Sequence, residues 1–74
     1  MIDVNREERE NRITEIMTEM ANDLEENGPL SLTEMSKPYR EENEMGPCLI
    51  AFSRLEAEGL IVQKPNGKWK ISQR

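Results

Sequence analysis

Histidine is absent from this 74-residue chain, and cysteine occurs once, at position 48. The missing histidine excludes histidine-based acid–base catalysis and histidine metal sites. A single cysteine can form neither an internal disulfide nor a thiolate zinc site, and it fits a reducing compartment. A chain of this length forms one domain at most, and it can bury only a small core.

Long apolar runs are missing as well. No stretch approaches the roughly 18 residues that cross a membrane. The opening segment, MIDVNREERE, is polar and acidic, unlike a signal peptide. The chain has no glycine-rich phosphate loop, no metal-ligand spacing and no nucleophile–base pair. We therefore expect a cytoplasmic protein that is not an enzyme and that holds no cofactor, metal or small-molecule ligand.

Charge is distributed unevenly. The net charge of −5 disfavours nucleic-acid binding, because Lys and Arg side chains supply most of the non-specific affinity for phosphates. Residues 1–36 carry ten acidic and three basic side chains, whereas residues 60–74 carry four basic and no acidic ones. The acidic segment is either an ordinary solvated face or, alternatively, a surface that binds a basic partner or imitates nucleic acid.

Two helices are predicted in the first half of the chain. Apolar residues recur at helical spacing from Ile13 to Leu24, and the ENGP segment provides a stop, so the first helix should span about residues 6–26. Ser31 and Glu34 have the spacing of a capping box at the start of the second helix. Pro38 should end that helix early.

The second half of the chain is predicted to hold a third helix and a hairpin. A polar, acidic connector, KPYREENE, should lead to a helix that starts near Pro47 and ends at Gly59. Asn66-Gly67 favours a two-residue type I′ turn between the strands LIVQK and WKISQ. This turn would pair Val62 with Ile71 and Lys64 with Trp69. The residues then expected to pack on the helices are Leu60, Val62, Trp69 and Ile71.

The segment RLEAEGLIVQKPNGKWKI, residues 54–71, resembles the end of a recognition helix followed by a wing. With the preceding helices, this segment makes residues 6–72 similar to the winged helix-turn-helix superfamily, in particular to its small prokaryotic or phage transcription regulators. The resemblance implies an α+β fold: a winged helix with a three-helix core and a C-terminal β-hairpin wing. One domain would cover residues 1–74, with residues 1–5 flexible.

The resemblance implies DNA binding in transcription regulation, by a homodimer. In DNA-binding members the third helix enters the major groove and the wing touches the backbone or the minor groove. DNA binding should be weak and salt-sensitive, because few cations are present. The candidate DNA-contacting residues are Ser53, Arg54, Lys64, Lys68 and Lys70.

A protein-interaction module of the same fold is the alternative. Helical spacing places Cys48, Phe52 and Leu55 inward and Leu49, Ile50 and Ser53 outward, where a DNA reader usually carries hydrogen-bonding side chains. The module would modulate a nucleic-acid enzyme such as RNA polymerase through an acidic and apolar surface. Its candidate residues are Leu49, Ile50, Glu41, Glu42 and Glu44. A connector that packs across the helix would instead bury both Leu49 and Ile50.

Other side chains have two interpretations each. The wing lysines form either a phosphate clamp or an ordinary solvated strand face. Trp69 either stacks on a base or ligand, or belongs to the core with Lys64 over its ring. Tyr39 is either a catalytic residue or a packing residue, and the latter is expected. Cys48 is either a nucleophile or a small buried hydrophobe, and the latter is expected, since no histidine is present to act as its base.

Overall fold

The computed structural model describes residues 4–72. Three helices precede a two-stranded antiparallel hairpin, the α+β arrangement expected of a winged helix. Residues 1–3, part of the stretch expected to be flexible, lie outside the described residues. The elements are α1 (Val4–Asn27), α2 (Leu32–Glu41), α3 (Met45–Ala57), β1 (Ile61–Gln63) and β2 (Trp69–Ile71).

A single apolar core lies between the helices and the hairpin. In α1, the stripe from Ile13 to Leu24 is buried at the predicted helical spacing. Every other described element contributes at least one side chain, and Ile71 packs against the edge of the cluster. The buried apolar residues are Ile13, Ile16, Met20, Leu24, Met35, Tyr39, Cys48, Ala51, Phe52, Leu55, Ile61 and Trp69.

The start of α2 confirms the predicted capping box. The backbone N–H of Glu34 donates to the Ser31 hydroxyl at 3.1 Å, and the backbone N–H of Ser31 donates to the Glu34 carboxylate at 2.9 Å. These bonds satisfy two of the amide groups that a helix start otherwise leaves without partners.

Pro38 does not end α2, and this prediction was wrong. The helix continues through Pro38 to Glu41. Proline in a helix removes one backbone hydrogen bond and costs about 3 kcal/mol or more locally. The following turn is held by the core, because Tyr39 is 6% exposed and its hydroxyl donates to the Glu19 carboxylate at 2.8 Å.

The connector before α3 is consequently short, spanning only residues 42–44. Asn43 takes a left-handed φ of 58°, a conformation that asparagine tolerates better than most residues. The N–H of Glu44 donates to the Tyr39 carbonyl at 2.6 Å, and that of Asn43 to the Arg40 carbonyl at 3.2 Å. Together these bonds form a Schellman motif, which redirects the chain into α3.

The end of α3 uses the same motif and confirms the predicted stop at Gly59. The N–H of Leu60 donates to the Leu55 carbonyl at 2.9 Å, and that of Gly59 to the Glu56 carbonyl at 3.0 Å. The chain thereby leaves the helix in the direction of β1.

The hairpin is paired one residue out of the predicted register. Ile71 lies opposite Ile61, not opposite Val62. Because successive residues of a strand point to opposite faces, this shift exchanges the buried and exposed residues of β1, whereas Trp69 and Ile71 of β2 still face the core as predicted. Ile61 is 2% exposed, whereas Leu60 and Val62, which were expected to pack on the helices, are 49% and 39% exposed.

The turn explains the shift. Its loop holds three residues, because the N–H of Lys64 donates to the Lys68 carbonyl at 2.7 Å. A two-residue turn at Asn66-Gly67 would require an N–H from Pro65, which has none. Pro65 instead takes the second turn position, where its fixed φ fits, and Gly67 supplies the left-handed conformation with φ of 87°.

An isolated β-bridge, absent from the sequence prediction, supports the hairpin. Leu30 and Trp69 form an isolated antiparallel bridge. The N–H of Leu30 donates to the Trp69 carbonyl at 3.0 Å, and the N–H of Trp69 donates to the Leu30 carbonyl at 2.7 Å. The link between α1 and α2 is thus attached directly to β2.

Gly28→Ala should destabilise the fold. The added methyl group would overlap the Leu24 carbonyl oxygen, which already accepts the Gly28 N–H at 2.9 Å. Because backbone must shift to relieve this overlap, we expect the free energy of unfolding to fall by about 1–3 kcal/mol. Urea denaturation followed by tryptophan fluorescence measures the change.

Gly46→Ala is the matched control. It lies in α3 with no neighbouring atom within 4 Å of the added methyl group. Alanine is the better helix former, so this variant should gain about 0.5–1 kcal/mol. Equal stabilities of the two variants would contradict the crowding inferred at Gly28.

Candidate interaction surfaces

The outward face of α3 carries exposed apolar side chains. Leu49 and Ile50 are 44% and 40% exposed, so no connector covers them. On the opposite side of the helix, Cys48, Phe52 and Leu55 are buried, as helical spacing predicts. The outward residues form the wall of a shallow apolar depression, whose lining residues are Leu49, Ile50, Ser53, Arg54 and Ala57.

Arg54, a predicted DNA contact, is bound within the molecule. Its guanidinium donates two hydrogen bonds to the Glu10 carboxylate of α1, at 2.8 and 3.1 Å. The hydrogen bond from Arg54 lowers the pKa of Glu10 below its usual range. Arg54 therefore approaches a phosphate only if it leaves Glu10. Sequence reasoning missed Glu10, because the two residues are 44 positions apart.

Glu44, a candidate docking residue, is also paired. It accepts two hydrogen bonds from the Arg12 guanidinium, both at 2.7 Å, and these lower the pKa of the Glu44 carboxyl. Arg12 donates to Glu19 as well, at 3.2 Å. The other two candidate carboxylates, Glu41 and Glu42, are exposed beside the start of α3. Arg12 was missed for the same reason as Glu10.

The three wing lysines share the outward face of the hairpin. Val62 is paired with Lys70, and the backbones of Lys64 and Lys68 are hydrogen-bonded across the loop. Lys68 and Lys70 are exposed and Lys64 is half-buried. The corrected register thus places cations beside exposed apolar side chains, at Leu60 and Val62. Ser53 and Arg54 belong to a different element, α3.

Three side chains with two interpretations prove to be core residues. The Trp69 ring is 9% exposed and stands edge-on to Phe52, with ring centroids 4.7 Å apart. Its cross-strand neighbour is Gln63, not Lys64. Burial raises the pKa of the Tyr39 hydroxyl and of the Cys48 thiol. Both groups therefore stay protonated at neutral pH, which makes the thiol a poor nucleophile.

No protein-family model, curated protein or solved structure matches this chain. Within residues 4–72, no helix combines the length and the apolar character needed to span a bilayer. The same residues contain no group of three or more acidic or cysteine side chains placed to hold a metal ion.

Acid should weaken the contacts between α1 and α3. The folded-state pKa values of Glu10 and Glu44 lie below the usual value of about 4.3, so protons bind the unfolded chain first. The contribution of both pairs is fully present above that usual value and is lost as the pH falls through the folded-state pKa values. Urea denaturation at a series of pH values from neutrality downward measures this loss.

Glu44→Gln should therefore show a smaller loss of stability on acidification than the unmodified chain. Glu42→Gln, which removes an exposed carboxylate next to the same turn, provides the control and should behave like the unmodified chain. Identical acid dependence in all three proteins would show that the Arg12–Glu44 pair contributes nothing to pH-dependent stability.

Proposed function

We propose that this chain is a small protein-interaction module of the winged-helix superfamily that docks a partner protein through the outward face of α3. The observation that carries the proposal is the exposure of Leu49 and Ile50 at the centre of that face. A helix that reads bases presents hydrogen-bonding side chains there. An apolar face instead suits helix-in-groove or helix-on-helix recognition.

Charge around α3 supports docking over DNA reading. Arg54 is held by Glu10, and Ser53 is then the remaining hydrogen-bonding side chain among the outward residues. Glu41 and Glu42 stand exposed before the helix, where they would repel approaching phosphates. Protein surfaces do not carry the uniform negative charge of a duplex, so this face discriminates against DNA without excluding a protein.

The expected affinity is modest. Complete burial of an exposed Leu or Ile side chain contributes about 1.5–3 kcal/mol, and Leu49 and Ile50 are each less than half exposed. We therefore expect about 1 kcal/mol from each, the remainder coming from a few partner anchors. A micromolar dissociation constant, typical of transient contacts, corresponds to about 8 kcal/mol, so the partner's anchors would supply most of the binding free energy.

Ile50→Asp should weaken partner binding about tenfold or more, because a carboxylate would then be buried against apolar partner atoms. A photo-crosslinking side chain at position 49 first identifies the partner from extracts of the native host. Isothermal titration of the purified partner then gives the dissociation constants.

Val62→Asp is the matched control, since Val62 is 39% exposed and Ile50 40% exposed. It introduces the same charge on the hairpin and should leave the dissociation constant unchanged. Loss of binding in Val62→Asp alone would move the docking site to the hairpin and refute the role of α3.

DNA binding in transcription regulation is the second candidate, favoured by one observation. Lys64, Lys68 and Lys70 share the outward face of the hairpin, where a wing would meet the phosphate backbone. The same face carries no acidic side chain between residues 60 and 72. These cations would support weak, largely sequence-independent binding.

Duplex binding, if the hairpin provides it, should be salt-sensitive to the extent that three cations allow. Three phosphate contacts give a log–log slope of about −2.7. Fluorescence anisotropy of a labelled duplex between about 25 and 200 mM salt measures the slope. Replacing all three lysines by alanine should abolish binding while circular dichroism stays unchanged. Absence of binding by the folded, unmodified chain at the lowest salt would eliminate this candidate.

A further inference from the structure

We infer that the partner segment received by α3 is an amphipathic helix with an apolar stripe and with Lys or Arg side chains near its ends. This inference rests on the docking function proposed above and specifies the chemistry of the partner. Three features of the described residues lead to it: the shape of the outward stripe, the ring of carboxylates around it, and the position of two carboxylates relative to the helix dipole.

A stripe of uncharged side chains runs along α3, with Arg54 at its edge. Gly46, Leu49, Ile50, Ser53 and Ala57 follow the spacing of one helix face, and all five are exposed. Two large side chains are thus bordered on both sides by small ones. Such a surface forms a ridge with open gaps beside it, into which the side chains of a second helix can pack. The 13 residues of α3 extend about 20 Å, long enough for a partner helix of three to four turns.

Acidic side chains outnumber basic ones in the segment that contains α3. Residues 41–58 contain five acidic side chains and one basic one, Arg54. That one cation is neutralised by Glu10, while Glu44 is neutralised by Arg12. Four further carboxylates are exposed, two before the first turn of α3 and two at its last turn: Glu41, Glu42, Glu56 and Glu58. Of these, Glu58 also lies within electrostatic range of Arg54.

Glu56 and Glu58 occupy the end of the helix where a negative charge is least favourable. The macrodipole concentrates partial negative charge at a helix C-terminus, where Lys and Arg are the stabilising residues. Glu58 is the C-cap residue and Glu56 lies within the last turn. Glu56 and Glu58 add negative charge where the helix dipole is already negative. This end of the stripe therefore attracts a cation supplied by a partner.

The same carboxylates disfavour a second copy of this chain as the occupant. In an antiparallel pairing of two α3 helices, Glu41 and Glu42 of one copy would approach Glu56 and Glu58 of the other. In a parallel pairing, each carboxylate would approach its own counterpart. Like charges in such positions are repulsive, and each copy already carries a net charge of −5. A basic partner removes this repulsion, so the homodimer expected from the winged-helix resemblance is not assigned to this face.

Two synthetic peptides test the inference directly on the full chain. Both have the same length and the same Leu/Ala stripe at helical spacing; one carries Lys at both ends and the other carries Glu. Fluorescence anisotropy at moderate salt should show that the Lys-ended peptide binds at least about tenfold more tightly. Ile50→Asp should weaken that binding although it adds a negative charge, which separates stripe recognition from general attraction to an acidic protein.

The double variant Glu56→Gln/Glu58→Gln should reduce the preference for the Lys-ended peptide at least threefold without lowering stability. The control is Glu25→Gln/Glu26→Gln, two exposed carboxylates at the end of α1, which should leave the preference unchanged.

Equal binding of the two peptides, both lost in Ile50→Asp, would overturn the basic-partner inference and leave the docking function standing. Failure of both peptides to bind, together with unchanged capture of the natural partner by Ile50→Asp, would overturn both proposals. Sedimentation that reveals a dimer abolished by Ile50→Asp would also overturn the inference, with a second copy as the occupant.

Discussion

The position of Trp69 determines the arrangement of both outward faces. Its backbone exchanges two hydrogen bonds with Leu30, and its ring stands edge-on to Phe52 of α3. One residue thus joins the α1–α2 link, the hairpin and the third helix. Once Trp69 faces inward, strand alternation turns Ile71 to the core and Lys70 to solvent, and the cross-strand pairing does the same for β1. The cationic face of the hairpin is therefore a consequence of how one aromatic side chain packs.

The outward stripe of α3 arises from the same core and from two ion pairs that join α3 to α1. Arg12 pairs with Glu44 at the N-cap of α3, and Glu10 pairs with Arg54 in its last turn. Partly exposed pairs of this kind contribute little free energy. Their main effect is on charge, because they leave α3 without an unpaired cation and still leave exposed carboxylates around the stripe. The pairs that join α1 to α3 thereby also set the charge that the proposed partner would meet.

Local sequence signals predicted the helices well and long-range contacts poorly. The Ser31–Glu34 capping box and the stop at Gly59 depend on neighbouring residues, and both were predicted correctly. Pro38 was misjudged because the burial of Tyr39 outweighs a local proline penalty. Asn43, which ends α2 in a left-handed conformation, was the available signal that the connector is short. The pairings of Arg12 and Arg54 had no such signal, because their partners lie 32 and 44 residues away.

The hairpin shows how one residue can alter a functional interpretation. Asn66-Gly67 alone favours a two-residue turn, but Pro65 lacks the N–H that this turn requires, and the loop gains a residue. The gain moves Val62 from the core to the surface, beside the lysines. The molecule therefore exposes an apolar face among cations and another among carboxylates. Exposed apolar side chains favour non-specific association. Around α3, the excess negative charge would oppose contact between copies of the chain and is complementary to the cationic partner proposed for the same stripe.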